Sequence, residues 1–325
     1  DINIHSMDDH YAILDSPLAE LENSERNGKE TESKDKSQKK KSLDFSKMLI
    51  LEDEILKANV YRESIGLDEP LFVKPKWEPA KFMQPELVQA IEDKKMPPKN
   101  RAKVVYKYTT EMMKNILRNP SVDVIKTSKE GGIAQIVDII LSEKQMSSNL
   151  IKIISNDNQM YTHAVNVGVK SIMLAKEMFK GTKHDMHELA AGFFLHDIGK
   201  VNIDPAIINK HGKLTKEEFK IMQTHPFEGY KILSEMRMLS TEVWIIAMQH
   251  HEREDGSGYP CNLKGKDIHP YARICCITDV FDALTAKRLY KTQKTTMEAL
   301  TIMKNEMLPH FNIDLFSKFL MLFKQ

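Results

Sequence analysis

An apolar run that ends in a histidine and an aspartate constrains this chain more than any other feature. The run is AAGFFLHDIGK, residues 190–200. Large apolar side chains among Ala and Gly predict a closely packed, buried helix. An imidazole and a carboxylate at the end of such a helix are unfavourable unless a charge compensates them, and a divalent metal ion supplies that charge. We therefore expect other parts of the chain to bring further ligands to His196 and Asp197.

Composition sets limits on the class of protein. The 325 residues are enough for two domains, and the net charge of +1 gives no global argument for binding nucleic acid or a membrane surface. The cysteines, Cys261, Cys275 and Cys276, have the spacing of neither a disulfide framework nor a thiolate zinc site. No apolar run is long enough to cross a bilayer and no signal-peptide pattern is present. We expect a cytoplasmic protein with no membrane or nucleic-acid duplex as partner.

The N-terminal part carries no catalytic constellation before residue 150. About residues 20–47 form a tract rich in Glu, Ser and Lys, for which a mobile solvated segment is favoured over a nucleic-acid patch. Helical periodicity follows from Ser46 to Ile65, and then a proline-rich stretch extends to Pro98. We predict a smaller regulatory or partner-binding domain over residues 1–125, with an α+β fold as one option.

From residue 100 onward the pattern is nearly continuous helix, which predicts a mainly α domain over residues 126–325. The predicted helices share apolar residues at helical spacing, and they cover 101–118, 132–144, 149–178, 187–195, 215–222, 243–251, 271–288, 296–307 and 314–323. A break is expected at Asn119-Pro120. Thr215 followed three residues later by Glu218 predicts a capping box.

Histidines and aspartates accumulate on these helices and at their ends. A lone histidine on an apolar helix is more often a core residue than a ligand, but here seven side chains recur: His163, His196, Asp197, His225, His250, His251 and Asp279. Imidazole and carboxylate without thiolate suit iron, manganese or zinc. So many ligands suit two ions better than one, with Asp197 able to bridge. Two ions a few Å apart can activate a shared water for phosphoryl displacement.

Longer motifs surround these side chains. They are HDIGK at 196–200, KLT at 213–215 with Glu217 and Glu218, His225-Pro226, HHEREDGSGYP at 250–260, LKG at 263–265 and DVFDALT at 279–285. Together they resemble the HD-GYP family of cyclic dinucleotide phosphodiesterases, over roughly residues 150–325. The resemblance implies a helical bundle of the HD superfamily. It also implies hydrolysis of cyclic di-GMP to linear pGpG or to GMP by a metal-bridged hydroxide.

The resemblance also implies a ligand assignment. One ion takes His163, His196, Asp197 and Asp279, and the second shares Asp197 and adds His225, His250 and His251. Iron or manganese is expected, with zinc as an option. Gln159 stands where some members have a glutamate that helps bind a third metal, which predicts two ions. Asp197 and Lys200 are the predicted catalytic residues. Lys200 could reach a phosphate oxygen or the attacking water, the alternative being a helix C-terminal charge.

Six residues are predicted substrate contacts: Lys200, Arg253, Gly256, Gly258, Tyr259 and Arg288. The glycines allow the loop to approach a substrate closely. Tyr259 either contacts guanine or phosphate, or packs the loop, and the two interpretations are equally supported. For Arg253, bracing the loop through Asp255 or Glu252 is the favoured alternative. Arg288 is the better candidate for a phosphate contact.

Departures from the family pattern leave alternatives open. Glu254 stands where an aromatic residue is frequent and could repel an anionic substrate, and Leu289 replaces the usual proline between Arg288 and Tyr290. Cyclic di-GMP hydrolysis is the favoured function. The alternatives are the same chemistry on cyclic GMP-AMP, or a weakly active cyclic di-GMP receptor acting through protein contacts of the N-terminal region or the Gly-Tyr-Pro loop. A purely structural domain is disfavoured, because buried histidines and aspartates would be left unsatisfied.

Overall fold

The computed structural model describes residues 93, 95–154, 159–180, 184–210, 212–286 and 293–324. The predictions made for the chain before residue 93, including the mobile segment at about 20–47, lie outside the described residues. So do Arg288 and Leu289. None of the helices described is both long enough and apolar enough to cross a membrane.

The described residues form helices joined by short connections, and they contain no β-strand. The α-helices are α1 Pro98–Arg118, α2 Val122–Ser128, α3 Ala134–Ser142, α4 Lys144–Ile153, α5 Met160–Met178, α6 Met186–Leu195, α7 Pro205–Ile208, α8 Lys216–Met222, α9 His225–Ser234, α10 Thr241–Gln249, α11 Pro270–Thr285, α12 Thr296–Glu306 and α13 Ile313–Met321. A π-helical turn covers Lys129–Ile133, and 3-10 turns cover Ile198–Asn202, Gly265–Asp267 and Leu308–His310. The prediction of a mainly α domain is confirmed.

Local sequence signals explain most helix boundaries. Thr215 accepts from the backbone N–H of Glu218, whose carboxylate accepts in return from the N–H of Thr215, so the predicted capping box is present at the start of α8. The predicted single helix over 149–178 is wrong, because α4 ends at Ile153 and α5 begins at Met160. The sequence between them is Ser-Asn-Asp-Asn, residues 155–158, and these residue types favour turns and caps over helix interiors.

The core lies among α5, α6, α10 and α11, which pack side by side, with α9 against α10 and α1 across α4 and α5. Phe193 and Phe194 of α6 are completely buried there. Burial of an aromatic side chain of this size stabilises the fold by about 1.5–3 kcal/mol. Gly168 of α5 lies directly against the ring of Phe194, so a small residue is needed where these two helices meet.

Helix ends converge on one side of this core. His163 lies in the first turn of α5, His196 and Asp197 follow α6, and His225 begins α9. His250 and His251 follow α10, and Asp279 lies within α11. The bundle therefore brings together side chains that are more than 100 residues apart in sequence.

Candidate metal centre

The backbone holds three of the histidines in the same way. In His196, His225 and His250, Nδ1 lies 2.8 Å from the carbonyl oxygen three residues earlier. A carbonyl oxygen can only accept a hydrogen bond, so in each neutral ring Nδ1 carries the proton and Nε2 keeps a lone pair. Each helix end therefore presents an unprotonated nitrogen to the interior of the bundle.

Two of these nitrogens face one another. The Nε2 atoms of His225 and His250 are 3.2 Å apart, and both rings are completely or almost completely buried. Because the carbonyl oxygens engage both Nδ1 protons, two lone pairs meet at this distance. The arrangement is unfavourable for neutral rings alone, and a cation that both nitrogens bind would remove the repulsion.

Asp197 lies between two sets of ligand atoms. We call His163, His196 and Asp279 the His163 group, and His225, His250 and His251 the His225 group. Oδ1 of Asp197 lies 3.1 Å from Nε2 of His225 and 3.6 Å from Nε2 of His250. Oδ2 lies 3.5 Å from Nε2 of both His163 and His196. One carboxylate therefore offers a different oxygen to each group.

Within the His163 group, His163 is surrounded by carboxylates. Its Nε2 lies 3.0 Å from Oδ1 of Asp279, and its Nδ1 lies 2.9 Å from Oδ2 of Asp282. The second oxygen of Asp282 accepts from Nζ of Lys170 at 2.6 Å. The second oxygen of Asp279 lies 3.7 Å from Nδ1 of His251, so Asp279 also borders the His225 group.

Burial keeps most of these rings neutral. It lowers the pKa of His196 to about 3 and that of His225 to about 4, although Asp197 opposes both shifts, and it holds the pKa of His251 well below its usual value. His163 differs. Burial alone would lower its pKa, but the hydrogen bonds to Asp279 and Asp282 outweigh burial and raise it to about 10.

The carboxylates stay ionised. Burial would raise the pKa of Asp197, but Lys200 and the neighbouring histidines outweigh it and hold that pKa well below the usual value. The same balance holds the pKa of Asp279 low, with His163 as its main partner. Neutral imidazoles beside ionised carboxylates form a ligand set for divalent cations.

The residues present form two groups of side chains that could hold metal ions. Nε2 of His196 and Oδ1 of Asp197 are buried without a hydrogen-bond partner, and buried polar atoms are seldom left so. The ligand atoms of the His163 group lie within 4.8 Å of one another. Asp197 and the three histidines of the His225 group form a second set of ligand atoms that also lie within 4.8 Å of one another. Metal–ligand bonds of about 2.0–2.2 Å place the ligand atoms of one ion about 3–4 Å apart, as they are around Asp197.

Lys200 connects the buried carboxylate to the surface. Its Nζ donates to Oδ2 of Asp197 at 2.6 Å, and 23% of its side chain is exposed. The short helical turn after the His-Asp pair places it there, one turn beyond Asp197. An anion that approaches the centre from solvent would therefore meet this ammonium group.

The Gly-Tyr-Pro loop folds back onto the ligand pair that precedes it. The backbone N–H of Tyr259 donates to the carbonyl oxygen of His251, and the two rings stack with centroids 4.6 Å apart. Only 9% of Tyr259 is exposed, and burial raises its pKa well above the usual value. This arrangement supports the loop-packing alternative for Tyr259, and a substrate contact from it stays a prediction.

The other predicted contacts of this loop are also part of its internal structure. A side chain at Gly258 would collide with the backbone of residues 251–253. The N–H of Gly256 donates to the carbonyl oxygen of Arg253 at 2.8 Å. Arg253 is buried, and its guanidinium donates at 3.3 Å to Ser257, whose hydroxyl donates to Asp255 at 2.7 Å. The contacts to Ser257 and Asp255 brace the loop, and substrate binding by Arg253, Gly256 and Gly258 stays a prediction.

Two glutamates near the loop have roles that the sequence did not predict. Glu252 is buried and accepts from the N–H groups of Cys261 at 2.6 Å and Leu263 at 2.9 Å, which closes the loop. Glu254 lies 3.1 Å from Nε of Arg273 on α11. The negative charge that was expected to repel a substrate is therefore balanced by an arginine.

Sequence reasoning also missed Asp282 and Lys170. Asp282 contacts His163 directly, and Lys170 is connected to His163 through the carboxylate of Asp282. A signal existed, because Asp282 is one helical turn after Asp279 and Lys170 is two turns after His163, so each shares a helix face with a predicted ligand.

Comparison with known proteins identifies a domain family in this chain. The HD domain family matches residues 144–315, more than half of the chain. Cyclic di-GMP phosphodiesterase PA4108 of Pseudomonas aeruginosa is 36% identical over 171 residues, which are 53% of this chain and 41% of that protein. The 3'3'-cGAMP-specific phosphodiesterase 2 of Vibrio cholerae is 52% identical over 98 residues, 30% of this chain and 19% of that protein. The chain thus spans less than half the length of these relatives.

A solved structure supports the fold. Bd1817, a HDG"Y"P protein from Bdellovibrio bacteriovorus, superposes with a TM-score of 0.62 at 20% identity, covering 83% of this chain and 81% of that one. The motifs at 196–200 and 250–260 lie inside the matched HD domain and line the centre described above. The resemblance to HD-GYP proteins is thereby confirmed, and the chain belongs to the HD-domain family.

Proposed function

We propose that the helical domain is a phosphodiesterase that hydrolyses a cyclic dinucleotide at a centre for two divalent metal ions. The observation that carries this proposal is the meeting of the His225 and His250 Nε2 atoms beside Asp197, at 3.2 Å and with both Nδ1 protons engaged. A cation bound by both nitrogens would remove the repulsion between their lone pairs. Two ions bound here would lower the pKa of a shared water and stabilise negative charge on phosphoryl oxygens.

The residues of the chain then have separate roles. The His163 group and the His225 group each hold one ion, and Asp197 bridges them through its two oxygens. Gln159, which would be a poor ligand for a third ion, occupies the N-cap position of α5, where its side chain makes no capping hydrogen bond. Lys200 would bind a phosphate oxygen, and its partly exposed ammonium, which donates to Asp197, supports this role. Iron or manganese is the expected metal, and zinc is an option because its affinity for imidazole is high.

Cyclic di-GMP is the proposed substrate, and linear pGpG or GMP the product. The curated cyclic di-GMP phosphodiesterases among the relatives support it, including one from Thermotoga maritima that is 40% identical over 144 residues. The Vibrio cholerae relative named for 3'3'-cGAMP makes that nucleotide the second candidate. The pairing of Glu254 with Arg273 removes one argument for a catalytically weak receptor.

The test begins with the metal-reconstituted full chain. The protein is loaded anaerobically with iron(II) or manganese(II), its metal content is quantified, and it is incubated with cyclic di-GMP or 3'3'-cGAMP, with products separated by chromatography. We expect two ions per chain and cleavage of one nucleotide in clear preference to the other. His187→Gln is a matched control, because His187 pairs with Asp138 at the surface, away from the centre.

Two results would contradict the proposal in different ways. Fewer than one ion per chain after reconstitution would exclude the two-metal centre. A fully loaded protein that binds a cyclic dinucleotide without cleaving it would support the receptor alternative. The N-terminal region over 1–125 and the Gly-Tyr-Pro loop remain the proposed surfaces for protein partners, and the domain boundary at 125/126 remains a prediction.

A further inference from the structure

A buried lysine lies behind the His163 group and touches none of its ligands. Nζ of Lys170 donates to Oδ1 of Asp282 at 2.6 Å, and Oδ2 of Asp282 lies 2.9 Å from Nδ1 of His163. Lys170 and His163 are on the same face of α5, and Asp282 comes from α11. The three side chains thus form a line that ends at a predicted metal ligand.

Burial makes this line unusual. Only 3% of Lys170 and 3% of Asp282 is exposed, and the ammonium lies 5.5 Å from the ring centre of Phe281. A lysine is almost never buried to this extent without a specific partner. A buried ion pair frequently adds little net stability compared with apolar residues of the same volume, so stability alone is a weak explanation for its presence.

The geometry around Asp282 gives a better explanation for the buried ion pair. Asp282 can hold the His163 ring only if Oδ2 stays in the ring plane at hydrogen-bonding distance, and a carboxylate with one free oxygen can rotate. Lys170 fixes the other oxygen and removes that freedom. Oδ2 of Asp282 therefore stays 2.9 Å from Nδ1 of His163, where it accepts the hydrogen bond of the ring N–H. Nε2 is then directed at Asp279 and Asp197.

We propose that Lys170 is a positioning residue that acts through Asp282 to orient the His163 ring as a metal ligand. The inference rests on the proposed function, because it gives His163 the role of ligand. Hydrogen-bonded carboxylates behind metal-bound histidines commonly change metal affinity by about 10–100-fold when they are removed. What this inference adds is a role for the buried ammonium of Lys170, which holds the carboxylate of Asp282 in place.

Another lysine of the same helix provides a matched control. Lys176 is also partly buried, and its Nζ donates to the carbonyl oxygens of Ile140 and Leu141 at 2.9 and 3.0 Å. It ties α5 to α3 and donates to none of the metal ligands. Lys176→Met therefore removes a lysine and its hydrogen bonds from α5 without disturbing Asp282.

The experiment uses zinc as a diamagnetic probe in the full chain. Histidine-labelled protein is loaded with zinc, and NMR of the ring nitrogens is recorded, with His163→Gln to assign the signal. In the wild type we expect Nδ1 of His163 to be protonated and Nε2 to be metal-bound. In Lys170→Met we expect the Nδ1 proton to exchange at least about tenfold faster, and one of two zinc affinities to fall about tenfold. Lys176→Met should leave both unchanged.

Each contrary result has a distinct meaning. Two bound zinc ions with an unprotonated Nδ1 at His163 in the wild type would overturn the inference without any variant, even if Lys170→Met fails to fold. Unchanged ring exchange and zinc affinity in Lys170→Met would also overturn it, and so would a rise in affinity, which would mean that Lys170 acts through charge alone. Wild-type protein that binds fewer than two zinc ions would overturn the proposed function and this inference with it.

Discussion

The two halves of the centre differ in how His163 is held compared with the histidines of the His225 group. In the His225 group, two of the three histidines are fixed by carbonyl oxygens three residues earlier in the chain, so local backbone geometry determines both ring orientation and tautomer. In the His163 group, His163 is fixed by Asp282, which comes from another helix and is itself held by Lys170. Local structure also fixes His196 of the His163 group, so the difference between the halves is that the orientation of His163 depends on the packing of α5 against α11.

The difference has an electrostatic consequence. The pKa of His225, lowered to about 4 by burial, leaves its nitrogen free to bind a cation at neutral pH. The pKa of His163 is raised to about 10, so without metal its ring holds a second proton between Asp279 and Asp282. An ion entering the His163 group must displace that proton, whereas an ion entering the His225 group need not. The two halves should therefore load differently.

The largest effect is expected where the halves meet. Asp197→Ala removes a carboxylate whose oxygens lie 3.1–3.6 Å from histidines of both groups, so we expect both ions to be lost together. Loss of two ions should lower kcat/KM by at least about 10⁴-fold, since each supplies several kcal/mol of transition-state stabilisation. Metal content per chain and steady-state hydrolysis check this. Retention of one full equivalent of metal would break the bridging assignment.

A smaller effect is expected when one half is removed. His250→Gln takes away a ligand of the His225 group and leaves the His163 group complete. We expect one ion to remain, with kcat/KM about 10²-fold lower for a loss of about 3 kcal/mol. His187→Gln should retain both ions and full activity. If His250→Gln loses both ions, the His163 group and the His225 group do not bind their ions independently, which would contradict the proposed difference between them.

The backbone around His225 is closely packed against Gly199, so we expect substitution of this glycine to destabilise the fold. A Cβ at Gly199 would overlap the carbonyl oxygen of His225 and the backbone nitrogen of Gly229, and backbone atoms cannot move aside. Gly199→Ala should therefore lower the free energy of unfolding by about 3 kcal/mol. Gly229→Ala is the matched control, since its nearest contact is 3.3 Å away. Denaturant unfolding of both variants checks this, and equal destabilisation would contradict it.

The sequence predicted the ligands because they are chemically out of place. Histidine and aspartate beside Phe193 and Phe194, at the end of an apolar helix, are unfavourable without a partner, and this conflict is visible in one stretch of sequence. The capping box at Thr215 was predictable for a similar reason, because its residues are neighbours in the chain.

What the sequence did not predict depends on contacts between distant segments. Lys170 and Asp282 are 112 residues apart, and nothing near either one shows that α5 and α11 pack with these faces together. Glu254 looked unfavourable for the same reason, because its partner Arg273 belongs to the next long helix. The π-helical turn at Lys129–Ile133, which overlaps the start of the helix predicted over 132–144, was not predicted.

The smallest effect tests the electrostatic difference directly in metal-free protein. The pKa of His163 is about 10 in the folded chain against 6.5 in the unfolded chain, so its contribution is fully present below pH 6.5 and is lost as the pH rises toward 10. Between pH 7 and pH 9 the loss should reach about 2 kcal/mol, or several °C in Tm. Thermal unfolding with a chelator should show this decline in the wild type and in His187→Gln, and a flatter profile in His163→Gln. If Tm falls in the same way with pH in all three proteins, His163 is neutral in the metal-free fold. An ion entering the His163 group would then have no extra proton to displace, and the two halves would not differ electrostatically.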